Sequence, residues 1–210
     1  SSTYIILFII FAAFLQSSKV GDYFVNFAFA LAGRARGGPA KVAIFASGLM
    51  GMINGSAVAV VATTGVLTIP MMTKRGYDKE FSAAVSSVAS TGGMILPPVM
   101  GVGAFIMAEL TGNTYARIAY SALAPAALYY LLCIAVVVVR VRKMEIEPLA
   151  PEDIPKAGPT MREGVLFLLP IIGIVYCLSV GFSTSKSALT AIVLLILVYL
   201  LKVLIKGPRL

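Results

Sequence analysis

The sequence predicts an all-α integral membrane protein, with multispanning helices, one re-entrant helical hairpin and one discontinuous helix. Three observations carry that expectation. The first is composition: of 210 residues, 59% are hydrophobic and 12% charged, with a mean hydropathy of +0.95. A soluble domain carries about 25% charged residues, so this chain lacks the polar groups to cover a globule in water. The second is charge order. The net charge of +8 is gathered in short clusters between apolar runs, which is where the positive-inside rule places Lys and Arg. The third is a pair of interruptions inside apolar runs, rich in Gly, Pro, Ser and Thr, which a membrane tolerates only where protein or a wet cavity surrounds the backbone.

Taken in order, residues 3–15 form a short apolar run, broken by SSKVGD. Residues 22–33 are aromatic on one side and suit an interface helix, and ARGGPAK (35–41) is a basic turn. The run 40–73 ends at Lys74 and Arg75. Its length of about 34 residues is too great for one span of ~20 and too small for two. Residues 79–110 are apolar but interrupted at 90–98. Residues 117–139, 163–181 and 187–205 read as spans, with a Pro-rich polar loop at 141–161 and the short turn FSTSK at 182–186.

Topology follows from the basic clusters. Arg34, Arg36 and Lys41 precede the 40–73 run, and Lys74, Arg75 and Lys79 follow it. A single crossing would put one cluster on the wrong side, whereas a run that enters and returns keeps both in the cytoplasm. A re-entrant hairpin of two half-helices with its tip at 54–56 satisfies this. The 79–110 run then crosses outward, and the later spans alternate so that RVRK and KGPR also lie inside. The expected divisions are 1–36 (end of a span and an arm helix), 37–116 (hairpin and broken helix) and 117–210 (spans and the cytoplasmic loop).

Two constellations could carry chemistry. At the tip, Asn54-Gly55-Ser56-Ala57 offers neutral oxygen ligands and a Gly that admits close backbone approach. Small residues here would equally serve tight helix packing. Further on, Ser90-Thr91-Gly92-Gly93 precedes Pro97 and Pro98, which remove two N–H donors and break the helix. Together a tip and a broken helix resemble the midplane sites of secondary transporters, where helix N-termini face an anion and freed carbonyls hold a cation. Asn54, Ser56 and Thr91 are candidate Na+ ligands, because neutral hard oxygens suit Na+ better than a transition metal. Thr63 and Thr64 either line the cavity or bond back to their own helix. Glu109 reads as an outer-interface group, with proton carriage as its alternative.

Several classes are excluded. Histidine is absent, and Cys133 and Cys177 sit singly in apolar runs, outside any CxxC pair. No HExxH, GxSxG, P-loop or DNA-binding motif is present. No enzyme, cofactor or nucleic-acid partner is therefore expected, and the chain holds no ATP-binding motif to power transport. The chain opens at Ser1 and runs into IILFIIFAAFL with no basic n-region or cleavage site, which excludes a signal peptide. Both ends read as cut, predicting a fragment of a longer protein.

GGPAKVA, the GSAVA tip, TTG…TIPMM, RGY and ASTGG…PPVMG…AFIMAE, all within 37–109, resemble the large membrane subunit of TRAP transporters, the tripartite ATP-independent periplasmic family. The likeness is strongest to fused permeases that pair with TAXI-type receptors. It implies an elevator-type permease of the bacterial inner membrane. In such systems a soluble periplasmic receptor delivers an organic anion, usually a carboxylate, and an ion gradient (commonly Na+, with H+ as the alternative) drives import. Carried over, the tip is Asn54 to Ala57 and the unwound segment Ser90 to Pro98. The chain departs from the family where Asn54 replaces a Ser, Val60 stands for a common Asn or Asp, and Ser86 for a frequent Glu. The resemblance also implies a second repeat that this chain does not show. Against the transporter stand two other readings, a structural or assembly subunit and a channel.

Overall fold

The computed structural model describes residues 2–17, 20–144 and 157–206, with side chains from Ile6 to Leu15, at Gly21, from Tyr23 to Met144 and from Leu168 to Leu200. Among the described residues all regular structure is helical. Two helices, α1 (Ser2–Ser17) and α2 (Val20–Ala32), precede α3 (Gly38–Asn54). Gly37, left-handed at φ 75°, turns the chain into α3, and Pro39 in its first turn sacrifices an N–H that would lack a partner anyway.

Residues 38–73 form a helix, a turn and a returning helical arm. Gly55 ends α3 in the left-handed region and donates its N–H to Gly51 O at 2.9 Å. Ser56 is extended, and its Oγ accepts from Ala59 N at 3.4 Å to start α4 (Ala57–Val60). The return arm continues through a π-turn (Val61–Gly65) into α5 (Val66–Thr73). The π-turn has a local cause in Thr63-Thr64. The Thr63 hydroxyl donates to Ala59 O and Val60 O, and that of Thr64 to Val60 O at 2.8 Å. The hydroxyls thus take up carbonyls that a widened turn leaves short of partners. Of the two alternatives for these threonines, the structure has them bonded back.

After a turn through Gly76 come α6 (Lys79–Gly93) and α7 (Val102–Thr111), which replace the expected 79–110 run as two pieces. The break starts later than expected. Ser90 to Gly93 are still helical, so only Met94 to Gly101 is non-helical. The Gly pair does not unwind the helix, because both glycines are packing against neighbours. The unwinding comes from Pro97 and Pro98, which have no N–H to continue the ladder. Before them Met94, Ile95 and Leu96 bond back only three residues.

The chain then forms α8 (Tyr115–Lys143), α9 (Ala157–Ser179) and α10 (Thr184–Lys206). Thr114 caps α8, and Arg140, Arg142 and Lys143 complement the negative end of its dipole. Most of the expected 141–161 loop, 145–156, lies outside the described residues, as do the side chains of 163–167 and 201–205 in the last two expected spans. Among the described residues α8 alone is long and apolar enough to cross a bilayer by itself.

The α3–α6 pair is the most extensive packing partnership among the described helices, together with α9–α10 and α2–α3. Phe8, Phe11, Leu15, Phe24, Ile174 and Leu195 anchor one apolar cluster that reaches the tip through Ile53 and Val60 and the break through Val99 and Met100. A second cluster joins Ala43 and Ile44 of α3 to Met72, Val85 and Val137. Apolar residues also cover much of the outside, with Leu128, Leu131, Leu132 and Val136 of α8 all more than half exposed. An oily outer face of this kind is at home against lipid or more protein, not water.

Candidate functional site at the hairpin tip and helix break

Two glycines let the hairpin meet α6. A Cβ on Gly51 would lie 2.5 Å from Gly93 Cα, and one on Gly93 would lie 2.4 Å from Gly51 Cα. The helices cross backbone against backbone, as small residues allow in membrane proteins. Buried hydroxyls of Ser47 on α3, Thr64 and Thr68 on the return arm, and Ser82, Ser86 and Ser90 on α6 run along these elements. Ser47 Oγ and Thr64 Oγ1 are 3.1 Å apart and hydrogen-bonded. Ser86, where the family often has Glu, is fully buried; its Oγ has no hydrogen-bond partner among the described residues and faces Gly65.

One turn beyond the crossing, the tip and the break are joined directly. Val99 N and Met100 N both donate to Met52 O, at 3.1 and 3.3 Å. Gly55 lies so close to Met100 that a Cβ there would stand 2.2 Å from the Met100 carbonyl oxygen. Gly101 N closes the break onto Met94 O at 2.7 Å. The carboxyl ends of α3 and α6 therefore meet the amino ends of α4 and α7 in one place. Such a junction gathers partial negative charge for a cation and partial positive charge for an anion.

The expected ligands fall unevenly. Asn54 is half-buried and Ser56 exposed at the tip. Ser90 is buried and donates to Ser86 O at 2.7 Å, while exposed Thr91 donates to Ser87 O at 2.9 Å. Both hydroxyl hydrogens are thus spent on their own helix. Gly92 lies under the Tyr129 ring, 2.4 Å from where a Cβ would be, and Gly93 under Gly51, so packing accounts for both. Pro97 is half-buried and Pro98 buried in the break itself. Glu109 is exposed beside a 410 Å³ cavity that also touches Asn113, Tyr115 and Ser183. Outside the helices, burial pushes the Tyr77 phenol up to about 12, so this side chain stays protonated well above neutrality.

Sequence reasoning missed three tyrosines of α8. Tyr115 donates its hydroxyl to Pro98 O, at 3.0 Å, and is within reach of Val99 O. Tyr129 and Tyr130 donate to Val88 O and Ala89 O at 2.8 and 2.9 Å. One helix thereby bonds to the break at Pro98 and to α6 more than one turn before it. The adjacent tyrosines in an apolar run were a visible signal, but their partners lie far away in sequence. Tyr115→Phe should keep the ring stacked on Phe105 (centroids 4.5 Å apart) and cost about 1–2 kcal/mol. Faster amide exchange confined to residues 99–101 is the expected readout. Unchanged exchange there would show that the hydroxyl does not hold the break.

A chain helical throughout its described regular structure, with an oily exterior and a helical hairpin docked on an interrupted helix, has the build of a membrane transport protein. Residues 1–207 match the family described as "Tripartite ATP-independent periplasmic transporter, DctM component", and the chain belongs to that family of TRAP transporter large permease subunits. It is 28% identical over 172 residues to the C4-dicarboxylate TRAP transporter large permease protein DctM of Vibrio cholerae, covering 80% of this chain and 38% of the relative. It is 29% identical over 190 residues to the Pseudomonas aeruginosa protein of the same name, covering 89% and 43%. The isethionate TRAP transporter permease protein DctMQ of Oleidesulfovibrio alaskensis is 37% identical over 91 residues, or 43% of this chain and 14% of that one. The chain thus spans about two fifths of the length of the first two relatives.

Proposed function

We propose that this chain works within the multi-pass permease of a bacterial inner-membrane secondary transporter that imports an organic anion, a carboxylate in the first instance. An ion gradient drives the step, and a periplasmic receptor of the TAXI type delivers the solute. The observation that carries this reading is the docking of the tip on the break, through Met52 O, Val99 N and Met100 N. It brings four helix ends to one point. The dicarboxylate named in two relatives agrees with an anionic solute.

Within that reading the hairpin is re-entrant and moves with the broken helix as one body, as elevator transport requires. Na+ is the coupling ion, held by oxygens of Asn54, Ser56 and Thr91. Gly92 and Gly93 pack and do not bind. A full site also needs the second repeat expected from the resemblance, so transport belongs to the longer protein.

The test is uptake of labelled C4-dicarboxylates by the full-length permease with its receptor in proteoliposomes, under an inward Na+ gradient and then an inward H+ gradient. Uptake should follow Na+ and require the receptor. Ser56→Ala and Thr91→Ala should each lower it at least about 10-fold, since each removes one hard ligand. Uptake indifferent to both variants would return the tip to a packing role, uptake without gradient or receptor would make the protein a channel, and uptake under H+ alone would replace the ion.

A further inference from the structure

The geometry points to a binding site for an anionic phospholipid in the seam between α6 and α8. A groove of about 290 Å³ opens there, its walls including Phe81, Val85 and Val88 of α6 and Tyr129, Cys133 and Val136 of α8. Its lining is almost wholly apolar. Val88 and Val136 lie open on its rim, 47% and 62% exposed, so the groove faces outward from a helix long enough to cross a bilayer. An acyl chain is the ligand whose chemistry such a wall accepts at that depth.

Charge at one end selects the headgroup. On α8 the lining positions 129, 133, 136 and 137 follow helical spacing, and the next places on the same stripe are Arg140 and Lys143. The stripe thus turns from oil to cation within about 6 Å of helix rise. The Arg140 guanidinium sits 6.0 Å over the Phe81 ring, at the groove's edge. Its Nη2 is 3.5 Å from Asp78 Oδ2, with both side chains about half exposed. Asp78 occupies one edge of a group with five N–H donors, and the rest remain available to a phosphate. Glu80 is the other carboxylate near this mouth, against exposed Lys79, Arg142 and Lys143. The basic side of the chain is the side facing the anionic leaflet, where each nearby Lys or Arg is worth about 1 kcal/mol. A neutral zwitterionic lipid would gain little from this mouth.

The opposite end of the groove reaches Tyr129, which grips Val88 O and covers Gly92 just before the break. An occupied groove would therefore brace α6 beside the tip. Further segments of the full permease, or a second copy of the chain, are the competing occupants.

Native mass spectrometry of the detergent-extracted full-length protein, offered equal phosphatidylglycerol and phosphatidylcholine, decides among them. The wild type should retain phosphatidylglycerol selectively. Lys143→Gln should lower that selectivity about 5-fold, and Arg140→Gln with Lys143→Gln about 20-fold. Val136→Trp should fill the groove and release both lipids, with thermal unfolding confirming that each variant is folded. Equal retention of both lipids by the wild type, or selectivity unchanged in folded Lys143→Gln, would overturn the site. So would a Cys133 thiol closed to a membrane-soluble maleimide after delipidation, because another segment or copy would then fill the groove.

Discussion

Gly93→Ala should strongly destabilise the full-length permease and lower its yield. The new Cβ would lie 2.4 Å from Gly51 Cα and 2.9 Å from Gly51 C. Both are backbone atoms, so no side chain can swing away. Relief requires α3 and α6 to separate by about 1 Å, which forfeits a large part of the dispersion energy along the seam. The expected cost is about 3 kcal/mol or more, the upper end for overpacking. Gly51→Ala should behave alike, and the double variant should cost less than the sum, because the first separation makes room for the second methyl. Gly103, in α7, is the control. A Cβ there meets nothing within 4 Å, so Gly103→Ala should be neutral or stabilise by up to about 1 kcal/mol. Thermal unfolding and yield in detergent measure all four. A Gly93→Ala protein as stable as wild type would mean that the helices do not cross at these two residues.

That crossing also explains where the sequence was readable and where it was not. The tip and the break were legible because Asn54-Gly55-Ser56 and Pro97-Pro98 are anomalies in oily surroundings, and their local physics leaves few options. The start of the break was misplaced because Gly92-Gly93 has two physical uses. A missing Cβ permits unwinding, and it equally permits close approach. The choice is made by Gly51 and Tyr129, which are distant in sequence and adjacent only in the fold. Thr63-Thr64 posed a similar ambiguity, resolved by the π-turn that their hydroxyls support. Asp78 precedes α6, where the sequence shows only its charged neighbours Lys79 and Glu80. It is half exposed, but it also pairs with Arg140, a partner that only the α6–α8 packing supplies.

Gly55 and Gly76 separate the strain of a turn from the demands of a site. Both are left-handed, at φ 61° and 88°. A Cβ on Gly76 meets nothing within 4 Å. Gly76→Ala should therefore cost only the left-handed strain of an alanine, about 1–2 kcal/mol, with uptake retained. A Cβ on Gly55 would lie 2.2 Å from Met100 O and 3.1 Å from Gly101 Cα. The turn strain is the same, so any further loss belongs to the contact. The neighbouring α3 end is fixed by the Gly51–Gly93 crossing, so the break must retreat. Retreat stretches the bonds from Val99 N and Met100 N to Met52 O. It also moves the ends of α4 and α7 apart, where the proposed site needs them together. A displacement near 1 Å at a positioned site can cost about 100-fold in rate. Gly55→Ala should accordingly lose uptake by about that factor in protein that still folds, and exchange of the 99–101 amides should rise. Gly55→Ala transporting as well as Gly76→Ala would show that transport does not depend on the docked tip, and the function proposed for this junction would have to be sought elsewhere in the permease.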